Sequence, residues 1–209
     1  MEMKSVFCFL GLLFCFQSIY AQKLIKKSFL NANISHVQID VKNCFEIDLL
    51  TANSEELIIE AQIDGEYEKD LLINVLEEGS TIKVSAGFQP NFIKPNDKLS
   101  AHKVVSIALR VVVPKGKSVH VFGNDCNVIA TGLYDFLKVS LNDGRCELNN
   151  VSETAEVRTQ SGHISVIYSD AVIEAKSKYG RVIGKISKNG NSYYDLRTIT
   201  GDILIKRVE

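Results

Sequence analysis

The sequence predicts an all-β protein: a single-stranded β-solenoid of stacked coils of about 18–21 residues over 117–209, preceded by a less regular β-rich half, 22–116, continuous with it. Three observations carry this. One pattern recurs four times, at 137–144, 155–162, 173–180 and 194–201, so the copies are spaced by 18, 18 and 21 residues. Each copy alternates apolar and polar residues up to a glycine, and a second alternating run follows that glycine. Two short strands round a turn bury too little apolar surface to fold singly, so such units must stack on one another.

Alternation also separates core from surface, because successive side chains of a strand point to opposite faces. Aligning on the turn adds an earlier coil, with Asn124 in the place of Gly144, Gly162, Gly180 and Gly201. Glycine supplies a positive φ at no steric cost there, and Asn tolerates it better than other residues do. Five residues before the turn stand Val119, Val139, Val157, Ala175 and Leu196; two after it stand Cys126, Cys146, Ile164, Val182 and Ile203. Four after it stand Val128, Leu148, Val166, Gly184 and Ile205, so Gly184 is the one thin spot in an apolar interior. The outward columns are polar. An acidic ladder, Glu156, Glu174 and Asp195, runs beside a basic ladder, Arg158, Lys176 and Arg197. Opposite charges two residues apart offset the repulsion of like charges on neighbouring strands, which is ordinary sheet-surface chemistry. The sharper alternative is a face that recognises a charged polymer such as envelope glycan.

The preceding half reads as further strands around His36 to Asp40, Cys44 to Leu50, Leu57 to Ile63, Leu71 to Leu76, Thr81 to Ala86 and Val104 to Val113. Asp64-Gly65 and Glu78-Gly79 suit tight connections, and 87–103 is one long polar excursion. No Pro/Gly/Ser-rich linker follows; Ser106 to Gly116 leads directly into the first coil, so 22–209 reads as one domain. Ahead of it, Lys4, an apolar run from Val6 to Phe16 and a small residue at Ala21 form a signal peptide, 1–21, cleaved between Ala21 and Gln22. That run is too short for the ~20 residues of a spanning helix. The expected product is exported, to the periplasm, the cell surface or the medium, without a transmembrane segment. It keeps Cys44, Cys126 and Cys146, an odd number, read as buried free thiols. Cys126 and Cys146 take equivalent places on successive coils, where stacking holds Cβ atoms near ~4.8 Å, beyond the ~3.8 Å of a relaxed disulfide.

Chemistry-bearing motifs are sparse. A net charge of −1 without a basic stripe excludes an electrostatic nucleic-acid binder. His36, His102, His120 and His163 stand singly, outside any metal-ligand spacing. Ser161-Gly162-His163 repeats the turn slot filled by Asp143-Gly144-Arg145, so turn geometry explains it better than a nucleophile does. No catalytic residue, cofactor or metal is expected.

The strand ending Val-Val-Val-Pro114, followed by Val-Arg-Thr-x-Ser-Gly162-x-Ile-x-Val and Leu-Arg-Thr-x-Thr-Gly201-Asp-Ile-x-Ile, resembles the family of bacterial exported β-solenoid proteins named putative adhesins, a domain of unknown function. The resemblance covers roughly 37–208, nearly all of 22–209, and 173–184 departs most, with Tyr179 before its glycine and Gly184 turned inward. It implies a non-catalytic cell-envelope or surface protein acting in adhesion, scaffolding or partner binding, its partner an envelope protein or glycan. Two alternatives stay open: a polysaccharide-active enzyme using outward Glu147, Glu156, Glu174 or Asp195, and an accessory protein sensing envelope state through an apolar patch near Ile183 and Leu204 or in the 87–103 loop. The exposed terminal coil would allow oligomers to form.

Overall fold

The computed structural model describes residues 23–30, 33–65, 68–92 and 105–208. The signal peptide expected over 1–21 and most of the polar excursion, with His102, lie outside the described residues. The chain is all-β. Its strands are β1 (Lys23–Leu30), β2 (His36–Asp40), β3 (Glu46–Ala52), β4 (Glu56–Gly65), β5 (Leu71–Glu78), β6 (Thr81–Phe88), β7 (Val105–Pro114) and β8 (Ser118–Asp125). There follow β9 (Asn127–Asp143), β10 (Arg145–Thr159), β11 (His163–Tyr168), β12 (Ala171–Ser177), β13 (Val182–Gly184), β14 (Ser192–Thr198) and β15 (Ile203–Arg207). One 3₁₀ turn, Glu68–Asp70, is the only helical element among the described residues.

These strands form one hydrogen-bonded sheet that curls, nearly closed and barrel-like, round a single apolar core. One wall runs β1-β4-β7-β3-β9-β10-β11-β15-β13. The other runs β5-β6-β2-β8-β9-β10-β14-β12. The long strands β9 and β10 pass from one wall to the other. In β9 the corner falls at Gly132, with φ 123°, where an added Cβ would lie 2.1 Å from Thr51 Oγ1. In β10 it falls at Asn150 and Glu153, both at positive φ, each within a shift of register. Buried tyrosines tie the corners down, as a large ring with one polar end can. Tyr134 donates its hydroxyl to the carbonyls of Leu49 (2.9 Å) and Thr131 (3.1 Å), and Tyr194 donates to that of Val151.

Apart from the antiparallel pairs β1–β4, β4–β7 and β5–β6, neighbouring strands are parallel and in register. Val139, Val157, Leu196 and Ala175 stack in one line, and Cys146, Ile164, Ile203 and Val182 in another. Val139, Val157, Leu196, Cys146 and Ile203 are fully buried.

Two corrections to the sequence alignment emerge. The first concerns register: Val121, not Val119, pairs with Val139, and Val128, not Cys126, pairs with Cys146. The counterpart of Gly144 is therefore Cys126, 18 residues earlier, as the spacing of the later copies requires; Asn124 lies two residues short of it. The second concerns order. The 192–207 unit does not follow 171–184 in the stack but slides between it and 154–168: β14 lies between β10 and β12, and β15 between β11 and β13. Composition explains the exchange, because 192–207 offers Leu196, Ile203 and Ile205 where 171–184 offers Ala175, Val182 and Gly184. A position covered on both sides rewards the larger side chains, each worth roughly 1.5–3 kcal/mol when fully buried. The terminal unit is thus 171–184. Its edge is partly closed by the following chain, since Ile173 N donates to Ser187 O at 2.9 Å.

Candidate functional site

The turns come first, because they fix where outward side chains project. Gly144 adopts φ 96°, but Gly162, Gly180 and Gly201 are absent from the left-handed region, so conformational freedom is not why glycine stands there. The reason is crowding. A Cβ on Gly162 would sit 2.5 Å from the carbonyl oxygen of Gly144; on Gly201, 2.1 Å from that of Gly162; on Gly180, 2.1 Å from that of Gly201. The glycines form a column in which each backbone fills the space of its neighbour's side chain. Beneath it runs a line of inward hydroxyls not anticipated from sequence: Thr159 Oγ1 donates to Gly162 O (2.7 Å), and Ser177 Oγ donates to Gly201 O (2.8 Å). Thr198 Oγ1 accepts from Gly201 N at 3.1 Å. The Thr or Ser three residues before Gly162, Gly180 and Gly201, where Gly144 has Leu141, was the available signal. Asn124, displaced from the turn, instead accepts from Asn142 Nδ2 (3.1 Å), whose Oδ1 accepts from Gln160 Nε2 (3.0 Å).

The charged ladders lie on the outer face of the second wall. Stacking order places Asp195 between Glu156 and Glu174, and Arg197 between Arg158 and Lys176. Lys138 pairs with Glu156 (3.2 Å), Glu156 with Arg158 (3.7 Å), Arg158 with Asp195, and Asp195 with Arg197 (2.9 Å). Burial raises the Asp195 carboxyl, but the hydrogen bonds and charges of Arg197 and Arg158 outweigh it and hold the group below its ordinary value. Tyr193 hydrogen-bonds Glu174, while Lys176 has no ion pair among the described residues. The ladder neutralises itself along most of its length.

The outer face of the first wall differs. Two recesses there, of about 490 and 350 Å³, share Arg145, Glu147 and His163 and so form one continuous groove across β3, β9, β10, β11, β15 and β13. One end carries Glu46, Asp125 and Asp143; the other carries Leu204 and Ile183, 49% and 42% exposed. His163 is more than a surface ring: its Nδ1 accepts from Asp202 N at 3.0 Å, which puts the proton of a neutral ring on Nε2. His36 and His120 sit apart from it, on the second wall. Among the described residues no group of three or more His, Cys, Asp or Glu is placed to hold a metal ion. Cys44, Cys126 and Cys146 are buried free thiols, and burial pushes Cys44 and Cys146 up to about 12, so neither is a nucleophile near neutral pH. Within the described residues no helix is long and apolar enough to cross a membrane.

One known structure shares this fold. The chain is similar to a putative cell adhesion protein from Clostridium sporogenes, with a TM-score of 0.58 at 14% identity over 89% of this chain and 100% of that one. It is also similar to putative adhesins from Bacteroides fragilis (TM-score 0.37, 14% identity, 89% of this chain and 97% of that one) and Parabacteroides merdae (0.26, 14%, 90% and 97%). No protein-family model matches the chain, and no curated protein matches its sequence. At such identity the likeness defines a fold: an all-β chain with the architecture of the Clostridium protein.

Proposed function

We propose that this chain is a non-catalytic, exported cell-surface or envelope protein, a β-solenoid whose outer faces bind an envelope protein or glycan in adhesion or scaffolding. The observation that carries the reading is the groove on the first wall, which runs along the stacking direction and joins an acidic end to an apolar one. Strands stacked at ~4.8 Å make its six-strand width roughly 24 Å, suited to an extended chain rather than a small substrate. The fold likeness to a protein described as a cell adhesion protein points the same way. Asp195 is ill suited to be the general acid of glycoside cleavage, which needs a raised carboxyl pKa: burial raises its carboxyl, but Arg197 and Arg158 outweigh that and hold it below its ordinary value.

Retention of the purified 22–209 chain on washed envelope fragments of its host tests this. Glu147→Lys with Leu204→Asp should abolish retention without lowering the melting temperature. Retention unaffected by the double variant, or release of soluble saccharide from the fragments, overturns the reading.

A further inference from the structure

Away from the groove, on the second wall, a different surface is built from β2, β8 and β9. Register puts His36, Ser118 and Phe136 on one line across the three strands and Gln38, His120 and Lys138 on the next. Ser118 is the small residue between two rings, and the step it leaves is a recess of about 220 Å³ lined by those six residues together with Val37 and Val119. We propose that this slot binds the ring of an uncharged sugar, held between His36 and Phe136 above Ser118.

The spacing decides how much fits. Strands two apart lie ~9.6 Å from each other, and a ring stacked on an aromatic face sits at ~4.5 Å or more from it. One ring therefore fills the slot. The polar groups decide what kind. Ser118 Oγ donates to Asp135 Oδ2 at 3.3 Å, and the Gln38 amide offers both a donor and an acceptor. Ser35 Oγ lies 2.8 Å from His36 Nδ1 and steadies that ring. Burial, then the charge of Lys138, lowers the His120 pKa, so at neutral pH its imidazole both donates and accepts. The one cation of the recess, Lys138, is already paired with Glu156 at 3.2 Å, which leaves no spare charge for a phosphate or carboxylate. Rings on either side of hydroxyl-matching groups suit a pyranose, whose C–H face is apolar and whose rim is hydroxyls. A flat aromatic ligand would fill the space but leave the Gln38 amide without a partner. The slot lies on the opposite wall from the groove, so it stands whether or not the groove binds a partner.

Saturation-transfer NMR, with backbone amide shifts, tests it using methyl β-glucopyranoside, methyl β-galactopyranoside, methyl α-mannopyranoside and N-acetylglucosamine. Probes at about 10 mM suffice for a dissociation constant near 1 mM. At least one should receive saturation on its ring C–H protons and shift the amides of 36–38, 118–120 and 136–138. Phe136→Ala should weaken that binding about tenfold. Ser118→Leu fills the slot while keeping both rings, and should abolish binding in a chain that melts as the parent does. Absence of transfer to every glycoside, shifts confined elsewhere, preference for adenosine, or binding that survives Ser118→Leu would each overturn the proposal.

Discussion

At Gly162 the backbone of one unit occupies the volume where a side chain would stand on the next. Because the obstacle is the Gly144 carbonyl oxygen, 2.5 Å from an ideal Cβ, and not a movable side chain, the stack itself must part to admit even a methyl group. Gly162→Ala should therefore cost about 1–3 kcal/mol, the range of overpacked interiors, and Gly162→Val more. His163→Ala removes a single exposed acceptor from Asp202 N and should cost no more than about 1 kcal/mol. Thermal denaturation of both variants checks this, and equal melting temperatures would refute the glycine column. Asp195 supplies the second residue-scale test. Its carboxyl pKa lies lower in the fold than in the unfolded chain, so the stabilisation is complete above the ordinary value of ~3.9 and fades as pH falls through the folded value. Asp195→Asn should lower the melting temperature at neutral pH, and the gap between parent and variant should close on acidification below that value.

Among the elements, β12 and β13 form the weak end and β14 and β15 the strong one, the reverse of their distance from the C-terminus. β14 is paired on both sides and β12 only by β14; Val182 and Ile183 on β13 are exposed, whereas Leu196 and Ile203 are fully buried. Amide exchange follows local opening, so 171–184 should exchange ahead of 192–207 when followed by mass spectrometry. The opposite order would mean that the units stack as they follow one another in sequence. What made the order hard to read is that alternation reports which face a residue takes and says nothing about which unit lies next to which. The clue was present in the thin positions Ala175 and Gly184, but it became a statement about order only once the competing unit, with Leu196 and Ile205, was weighed for the same place. The misplaced first unit has a simpler cause. Residue type favoured Asn124 as the turn, while the 18-residue interval pointed to Cys126; the paired strands keep that interval, with Val121 opposite Val139 and Val128 opposite Cys146, and it is the stronger constraint.

For the molecule as a whole, units are exchanged at both ends of the stack. β2 and β3 lie between β6–β7 and β8–β9, just as β14 and β15 lie between β10–β11 and β12–β13. The apolar residues of the core were legible because each obeys a period of two; the grooves were not, because a recess on a sheet depends on which outward residues become neighbours across strands. Ser118 and Phe136 are one 18-residue interval apart on successive strands, but His36 joins them only through the interleaved order. That order also makes the C-terminal segment a keystone. A chain ending at Asn191 lacks an inner layer, so Val157 and Ile164 lose their cover and β12 and β13 lose the strands they pair with. Such a truncation should leave 171–184 exchanging like unfolded chain and bring the denaturation midpoint down steeply, far more than replacement of Val182 and Ile183 by polar residues in the full chain. Were the truncated protein to keep 171–184 protected, those residues would have to be seated directly on 154–168, and the interleaved stack would be wrong.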